Sequence, residues 1–145
     1  MAAVHLHGGN PRRRLVAFLW MRANLFSGIG NTILTLAQHP QDLARLQAQP
    51  DLLPGAIEEV LRYRSPVQFM FRIVKQPVTL SGRTLEPGNM VLAIIGSANR
   101  DDAKFPQANR FQLDRAANQH IAFGQGIHYC LGAPLARLEG QVVFE

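Results

Sequence analysis

The chain has 145 residues, 47% of them hydrophobic and 17% charged, with a formal net charge of +5. This length suits a single globular domain, and this hydrophobic content excludes a disordered chain. A positive charge can indicate a nucleic-acid partner, but apart from Arg12–Arg14 the basic residues are scattered and do not alternate with aromatic residues. We therefore expect no nucleic-acid partner. The single cysteine excludes an internal disulfide and favours a reducing, cytoplasmic location.

The first 26 residues show no regular apolar pattern. Residues 1–14 are polar and contain glycine, and Pro11 is expected to break a helix, so we interpret residues 1–26 as loop or disorder. The apolar run Leu15–Met21 is far shorter than the roughly 20 residues of a membrane span, and no secretory signal precedes it. We expect no membrane-spanning segment.

Three helices are predicted in the next part of the chain. Residues 29–37 have helical apolar spacing, and this helix should stop before Pro40, because the residue before a proline disfavours the α conformation. Leu43 and Leu46 predict a short second helix, which ends near Pro50. A third helix is predicted over residues 54–64. The first part of this domain is therefore mainly helical.

Residues 69–95 change to short extended segments. Val78–Leu80 and Arg83–Leu85 flank Ser81-Gly82, which is typical of a two-residue hairpin turn. Met90–Ile95 is apolar and rich in branched residues, as a buried strand would be. The predicted fold class is mainly α with a small antiparallel β-sheet.

Cys130 lies between a glycine-containing run and a further predicted helix. From Leu131 onward the apolar residues recur at intervals of four, three and four, and Pro134 suits the first turn of a helix. A helix N-terminus favours a thiolate, because free N–H groups and the helix dipole stabilise negative charge. Gly124 and Gly126 allow the backbone to fold tightly beneath the sulfur. A lone cysteine is nevertheless most often a small buried hydrophobic residue.

A longer sequence match favours a metal-binding thiolate over a buried hydrophobic cysteine. The segment from Phe123 to Glu139 reads FGQGIHYCLGAPLARLE, and it resembles the haem-ligand loop of the cytochrome P450 family, closest to its soluble bacterial members. The resemblance implies that Cys130 is the axial thiolate of haem b (iron-protoporphyrin IX), a ligand that favours O–O cleavage. It also implies that Phe123 packs beside the sulfur and that His128 faces a haem propionate. The implied cofactor-binding residues are Arg72, His120, Phe123, Gly124, Gly126, His128, Cys130, Leu131 and Gly132.

A second match lies on the third predicted helix. Glu59 and Arg62 are three residues apart, so they can meet on a helix surface, and they resemble the family's E-x-x-R motif. The resemblance implies a buried network with an arginine of a later P-x-R-F-like segment, here Ala108-Asn-Arg-Phe, which makes Arg110 the expected third member. A buried ionic network is costly unless every member is paired. We therefore expect its role to be holding the Cys130 loop in place rather than adding net stability.

Three further polar positions are interpreted from the same resemblance. Arg72, within an apolar strand, is expected to pair with a haem propionate, since arginine binds carboxylates bidentately. His120 lies either at the haem edge or in the core as a satisfied histidine. Asn99-Arg100-Asp101 is expected to turn the chain and to take no part in chemistry. Arg72 and His120 complete the expected site.

Other metal and cysteine chemistry is disfavoured by spacing. The five histidines and one cysteine form no C-x-x-C or H-x-x-x-H cluster, so a zinc site is not expected. A catalytic dyad of Cys130 with His128 is disfavoured, because alternate residues in a tight loop point apart.

The resemblance covers about residues 28–143, the C-terminal part of a family member more than twice this length. It predicts a partial haem-thiolate domain at residues 27–145. Residues 20–24 read WMRAN, where related members carry an acidic residue followed by threonine. We expect residues 1–26 not to be the family's own sequence, as in a truncated or frameshifted gene product.

The implied function is that of a monooxygenase. Electrons from NAD(P)H would arrive through a ferredoxin or a flavoprotein, and a small organic substrate would be hydroxylated. The alternative is a catalytically inactive remnant, or a module that binds haem from one side or interacts with a partner.

Overall fold

The computed structural model describes residues 11–116 and 118–145. The α-helices are Pro11–Gln38 (α1), Pro40–Ala48 (α2), Leu53–Tyr63 (α3), Ile95–Ala98 (α4) and Ala133–Phe144 (α5). The strands are Met70–Ile73 (β1), Val78–Leu80 (β2), Arg83–Leu85 (β3) and Met90–Ala93 (β4). Single 3-10 turns lie at Pro50–Leu52 and Gly126–His128. The predicted fold class, mainly helical with a small antiparallel component, is confirmed.

The N-terminal part of α1 corrects an expectation. Residues 11–26 are helical, so the loop or disorder interpreted there is wrong. Pro11, the first described residue, is itself helical, so it does not break the helix within the described residues. Residues 1–10 of the same expected loop lie outside the described residues. The division of the chain at residue 26 remains a prediction.

The core is built around α3. One proline begins α2 and another begins the following 3-10 turn, so α1, α2 and α3 are separate helices, as predicted. Apolar side chains from α1, α2 and the later loops pack against α3. This cluster contains Leu36, Leu46, Leu53, Ala56, Ile57, Val60, Leu61, Phe111, Leu113 and Ala122. Most of the surface of α3 is therefore buried.

The strands form two separate antiparallel pairs rather than one sheet. β1 pairs with β4, and β2 pairs with β3. Ser81 and Gly82 both have positive φ angles, 48° and 77°, as expected of the predicted tight hairpin turn. β4 ends at Ala93, short of the expected Ile95, because Ile95 already begins α4 and is buried.

α5 packs on α3 through its small residues. Ala133 is buried, and a Cβ added at Gly140 would lie 3.4 Å from Cδ1 of Ile57. The predicted apolar positions lie on the exposed side instead, at Leu131, Leu135, Leu138 and Val142. Within residues 11–116 and 118–145, no helix combines the length and apolarity that a membrane crossing requires.

Candidate functional site

Cys130 carries a free, exposed thiol in the loop that precedes α5. Its N–H donates to the carbonyl of Phe123 (2.8 Å), and its own carbonyl accepts from the N–H of Ala133 (3.2 Å). The helix begins at Ala133 rather than at Leu131, so the sulfur lies one turn before the helix. The cysteine backbone is therefore held on both sides while the thiol remains accessible.

Two glycines shape this loop. Gly124 and Gly126 have φ angles of 74° and 66°, a region that residues with a Cβ rarely adopt. A Cβ added at Gly124 would also lie 3.3 Å from the carbonyl oxygen of His128. The turn is closed by the N–H of Tyr129, which donates to the carbonyl of Gly126 (3.0 Å). Glycine at position 124 is thus required both by backbone conformation and by space.

The surface around the thiol fits a large apolar group with acidic substituents. Leu131 and Ile127 are 97% and 77% exposed, so each presents an apolar side chain to solvent next to the loop. Arg72 and His128 are also exposed. An apolar macrocycle bound at Cys130 would remove this apolar surface from water. The residues present therefore fit haem, whose carboxylates could be bound by the guanidinium of Arg72 and the imidazole of His128.

A buried ionic network lies on α3. The side chains of Glu59 and Arg62 are both 0% exposed. Arg62 donates from Nε to Oε2 and from Nη2 to Oε1 of Glu59, each at 2.8 Å. Its Nη1 donates to the carbonyls of Asn99 (2.7 Å) and Ala108 (2.9 Å). The predicted pair is thus formed, and it ties α3 to two later segments of the chain.

Arg115, not Arg110, is the third member of this network. Nε of Arg115 donates to both carboxylate oxygens of Glu59 at 3.0 Å, and its side chain is 5% exposed. Arg110 is exposed and contributes only its carbonyl, which accepts from Arg62 and from Arg115. The expectation for the Arg110 side chain is therefore wrong. In the segment that carries the motif, Phe111 is buried and the neighbouring Arg110 is exposed. The next arginine in the chain, Arg115, is the one whose side chain reaches Glu59.

Asn99 is a structural residue that sequence reasoning missed. Its side chain is fully buried, its Nδ2 donates to Oγ of Ser65 (2.8 Å), and its Oδ1 accepts from the N–H of Ile121 (2.9 Å). Through these bonds and its carbonyl, Asn99 links the end of α3 to the segment that enters the cysteine loop. The N-R-D motif was the only signal in the sequence, and it indicated no more than a turn.

Both ring nitrogens of His120 contact protein groups. Its Nε2 lies 3.0 Å from Oε2 of Glu58, and its Nδ1 accepts from the N–H of Ala122 (3.2 Å). The haem-edge position of His120 stays a prediction. Partial burial alone would raise the pKa of Glu58, but hydrogen bonds from His120 and Arg137 outweigh it and lower that pKa to about 2. Glu58 is consequently ionised at neutral pH.

The structure thus combines a helical fold, an exposed thiol in the loop before α5 and a buried glutamate–arginine network. A family model described as Cytochrome P450 matches residues 32–145. The chain therefore belongs to the cytochrome P450 family, whose members are haem proteins.

Curated relatives and solved structures agree with this assignment. The chain is 46% identical to the putative cytochrome P450 YjiB of Bacillus subtilis over 79% of its own length and 29% of that relative. It is 43% identical to the polyketide biosynthesis cytochrome P450 PksS of the same organism, over 90% of this chain and 32% of PksS, an alignment that reaches into the residues before 27. The crystal structure of CYP109E1 from Bacillus megaterium in complex with corticosterone matches with 49% identity and a TM-score of 0.81, covering 83% of this chain and 32% of CYP109E1. The chain thus spans about a third of the length of the proteins it matches.

Proposed function

We propose that this protein binds haem b through Cys130 and forms the thiolate side of a monooxygenase. The observation that carries the proposal is the free, exposed thiol of Cys130, pinned by backbone hydrogen bonds to Phe123 and Ala133 in a chain of the cytochrome P450 family. The thiolate-bound haem would supply reductive activation of dioxygen, favoured by electron donation from sulfur.

Several residues of this chain would each make a different contact with the cofactor. Cys130 provides the metal ligand, and Leu131 and Ile127 provide exposed apolar contact beside it. Arg72 and His128 would bind the propionates, with the guanidinium suited to a bidentate contact with a carboxylate. Gly124 keeps the loop tight enough to place the sulfur at its surface. The Glu59 network would act on the loop only indirectly, by tying α3 to the segments at Asn99 and Ala108.

Electrons and substrate would come from partners of the whole enzyme. We assign the electron supply to a ferredoxin or flavoprotein fed by NAD(P)H, and the substrate to small organic molecules. Similar structures were determined with different molecules: CYP109E1 with corticosterone or testosterone, and P450BioI with an acyl carrier protein that bears hexadec-9Z-enoic acid. This variety supports no narrower substrate class. The free thiol supports a reducing, cytoplasmic location.

The test is a haem titration followed by spectroscopy. The purified protein is mixed with haem, reduced and exposed to carbon monoxide, and the expected result is the long-wavelength Soret band of thiolate ligation. Cys130→Ala should abolish this band, whereas Thr79→Ala, an exposed change on β2, should leave it intact. A wild-type spectrum without this band, or an unchanged spectrum in Cys130→Ala, contradicts the proposal.

A second candidate function is an inactive remnant, or a module that binds haem or a partner without catalysis. It is favoured by the exposed apolar side of α5, where Leu135, Leu138 and Val142 lie uncovered in the described structure. Thiolate-type haem binding without product formation in the presence of a reductase, a ferredoxin and a candidate substrate supports the module. Absence of any haem uptake supports the remnant.

A further inference from the structure

A second ionic pair joins α3 to α5 beside the cysteine loop. Nε of Arg137 donates to Oε1 of Glu58 (2.6 Å), and Nη2 donates to Oε2 (2.9 Å). This is a bidentate pair that joins two helices through residues 79 positions apart in the chain. The two side chains are 33% and 27% exposed, so the pair lies at the edge of the core rather than within it. Such pairs fix orientation as well as distance.

The same guanidinium also contacts the loop. Its Nη1 donates to the hydroxyl of Tyr129 (2.9 Å), and its Cζ lies 4.7 Å from the ring centroid of Phe123. The rings of Phe123 and Tyr129 meet edge to face, with their centroids 6.5 Å apart. Arg137 therefore makes three contacts at once: a carboxylate, a phenol and an aromatic face.

These two aromatic residues are the ones that hold the cysteine. Phe123 accepts the hydrogen bond from the N–H of Cys130, and Tyr129 is the residue directly before it. A movement of Arg137 would remove one side-chain contact from each of them, the hydrogen bond of the Tyr129 hydroxyl and the cation over the Phe123 ring. Lysine could not replace these contacts, because an ammonium lacks the planar fork that binds two partners while lying over a ring.

We propose that Arg137 is a positioning residue for the Cys130 thiol, acting through Phe123 and Tyr129, and that Glu58 holds Arg137 in place. This inference rests on the proposed function, since it concerns the residue that would bind the metal. It assigns a role to Glu58 and Arg137 that is separate from that of the fully buried Glu59 pair. Glu58 fixes the position of Arg137, and Arg137 contacts the loop through Phe123 and Tyr129.

The experiment compares Arg137→Gln, Arg137→Lys and Glu58→Gln with the matched control Arg45→Gln. Arg45 forms an exposed pair with Asp114 (2.8 Å) outside the loop. Residue-resolved hydrogen exchange is measured on the protein before haem is added. We expect the amide of Cys130 to exchange roughly tenfold faster in the three variants relative to the α3 amides of Val60 and Leu61, which report any change in global stability. The control should leave all of these amides as in the wild type.

The carbon monoxide spectrum is the second readout. With haem added, the variants should convert part of the long-wavelength Soret band to the shorter-wavelength form of lost thiolate ligation, and the double variant Glu58→Gln/Arg137→Gln should match Arg137→Gln alone. Exchange at Cys130 equal to that of the control, or acceleration spread equally to α3, overturns the inference. A wild-type protein with no thiolate band refutes the proposed function instead, whereas the exchange result still decides the positioning role.

Discussion

Two adjacent glutamates on α3 belong to two different networks. Glu59 is fully buried and binds Arg62 and Arg115, whereas Glu58 is about a quarter exposed and binds Arg137 and His120. Neighbouring residues on a helix point in different directions, so one helix can supply both networks. The buried network joins α3 to the later loops of the core, and the partly exposed one reaches the cysteine loop.

The two networks are therefore expected to contribute differently, one to the stability of the fold and the other to the position of the cysteine loop. A fully buried carboxylate depends on its partners, because an unpaired buried charge is strongly destabilising. A partly exposed pair retains access to water, so its loss has a smaller effect on folding and a larger relative effect on the groups that it orients. We therefore expect the Glu59 side to dominate the free energy of unfolding and the Glu58 side to control the geometry of the loop.

The largest expected effect comes from Glu59→Gln. This change keeps the shape of the side chain but leaves the guanidinium of Arg62 buried without its counter-charge. We expect a loss of about 3–5 kcal/mol in the free energy of unfolding. Urea denaturation of the wild type and the variant measures it, with Arg45→Gln as the control. A loss below about 1 kcal/mol would show that this network contributes little to folding.

The next effect distinguishes the two candidate arginines. Arg115→Ala removes a buried partner of Glu59 and should lower the free energy of unfolding by about 2–3 kcal/mol. Arg110→Ala removes an exposed side chain and should change it by no more than about 0.5 kcal/mol. The same urea titration compares them. Equal losses in the two variants would contradict the assignment of Arg115 to the network.

Substitution of the two glycines in the cysteine loop tests the geometry of that loop. Gly124→Ala must adopt a φ of 74° and place a Cβ 3.3 Å from the carbonyl oxygen of His128, so we expect a loss of about 2 kcal/mol. Gly126→Ala has a φ of 66° and open space around its Cβ, so only the conformational part, about 1 kcal/mol, should appear. Thermal unfolding of both variants provides the comparison, and a larger loss at position 126 would be inconsistent with this geometry.

The smallest expected effect is the pH dependence of the Glu58 pair. The folded pKa of Glu58 is lowered from 4.5 to about 2, so its ionised form stabilises the fold above pH 4.5. That contribution should be lost as the pH falls from about 4.5 to about 2. We expect Glu58→Gln to be less stable than the wild type by about 1–2 kcal/mol at pH 7 because the pair is partly solvated.

Urea titrations of both proteins at pH 7, 5 and 3.5 check this sign. The difference between them should be constant from pH 7 to 5 and smaller at pH 3.5. A difference that grows as the pH falls would mean that the protonated form of Glu58 is the one the fold prefers.

Local sequence chemistry predicted most of the secondary structure. The hairpin turn at Ser81-Gly82 and the helix boundaries at Pro40 and Pro50 depend on backbone angles that neighbouring residues set, and the structure has them where they were expected. Pro11 was misread because a proline inside a helix and a proline at its first residue look alike when the flanking pattern is weak.

The sequence by itself also left one candidate thiol for a metal, because a single cysteine lies in a long glycine-containing match; its role as the ligand stays a prediction. Only the tertiary structure decided which arginine reaches Glu59, that His120 belongs to Glu58, and that Arg137 meets Phe123. The physical reason is that these contacts join segments tens of residues apart. Their geometry is set by how α3, α5 and the intervening loops pack, and no local spacing along the chain specifies that packing.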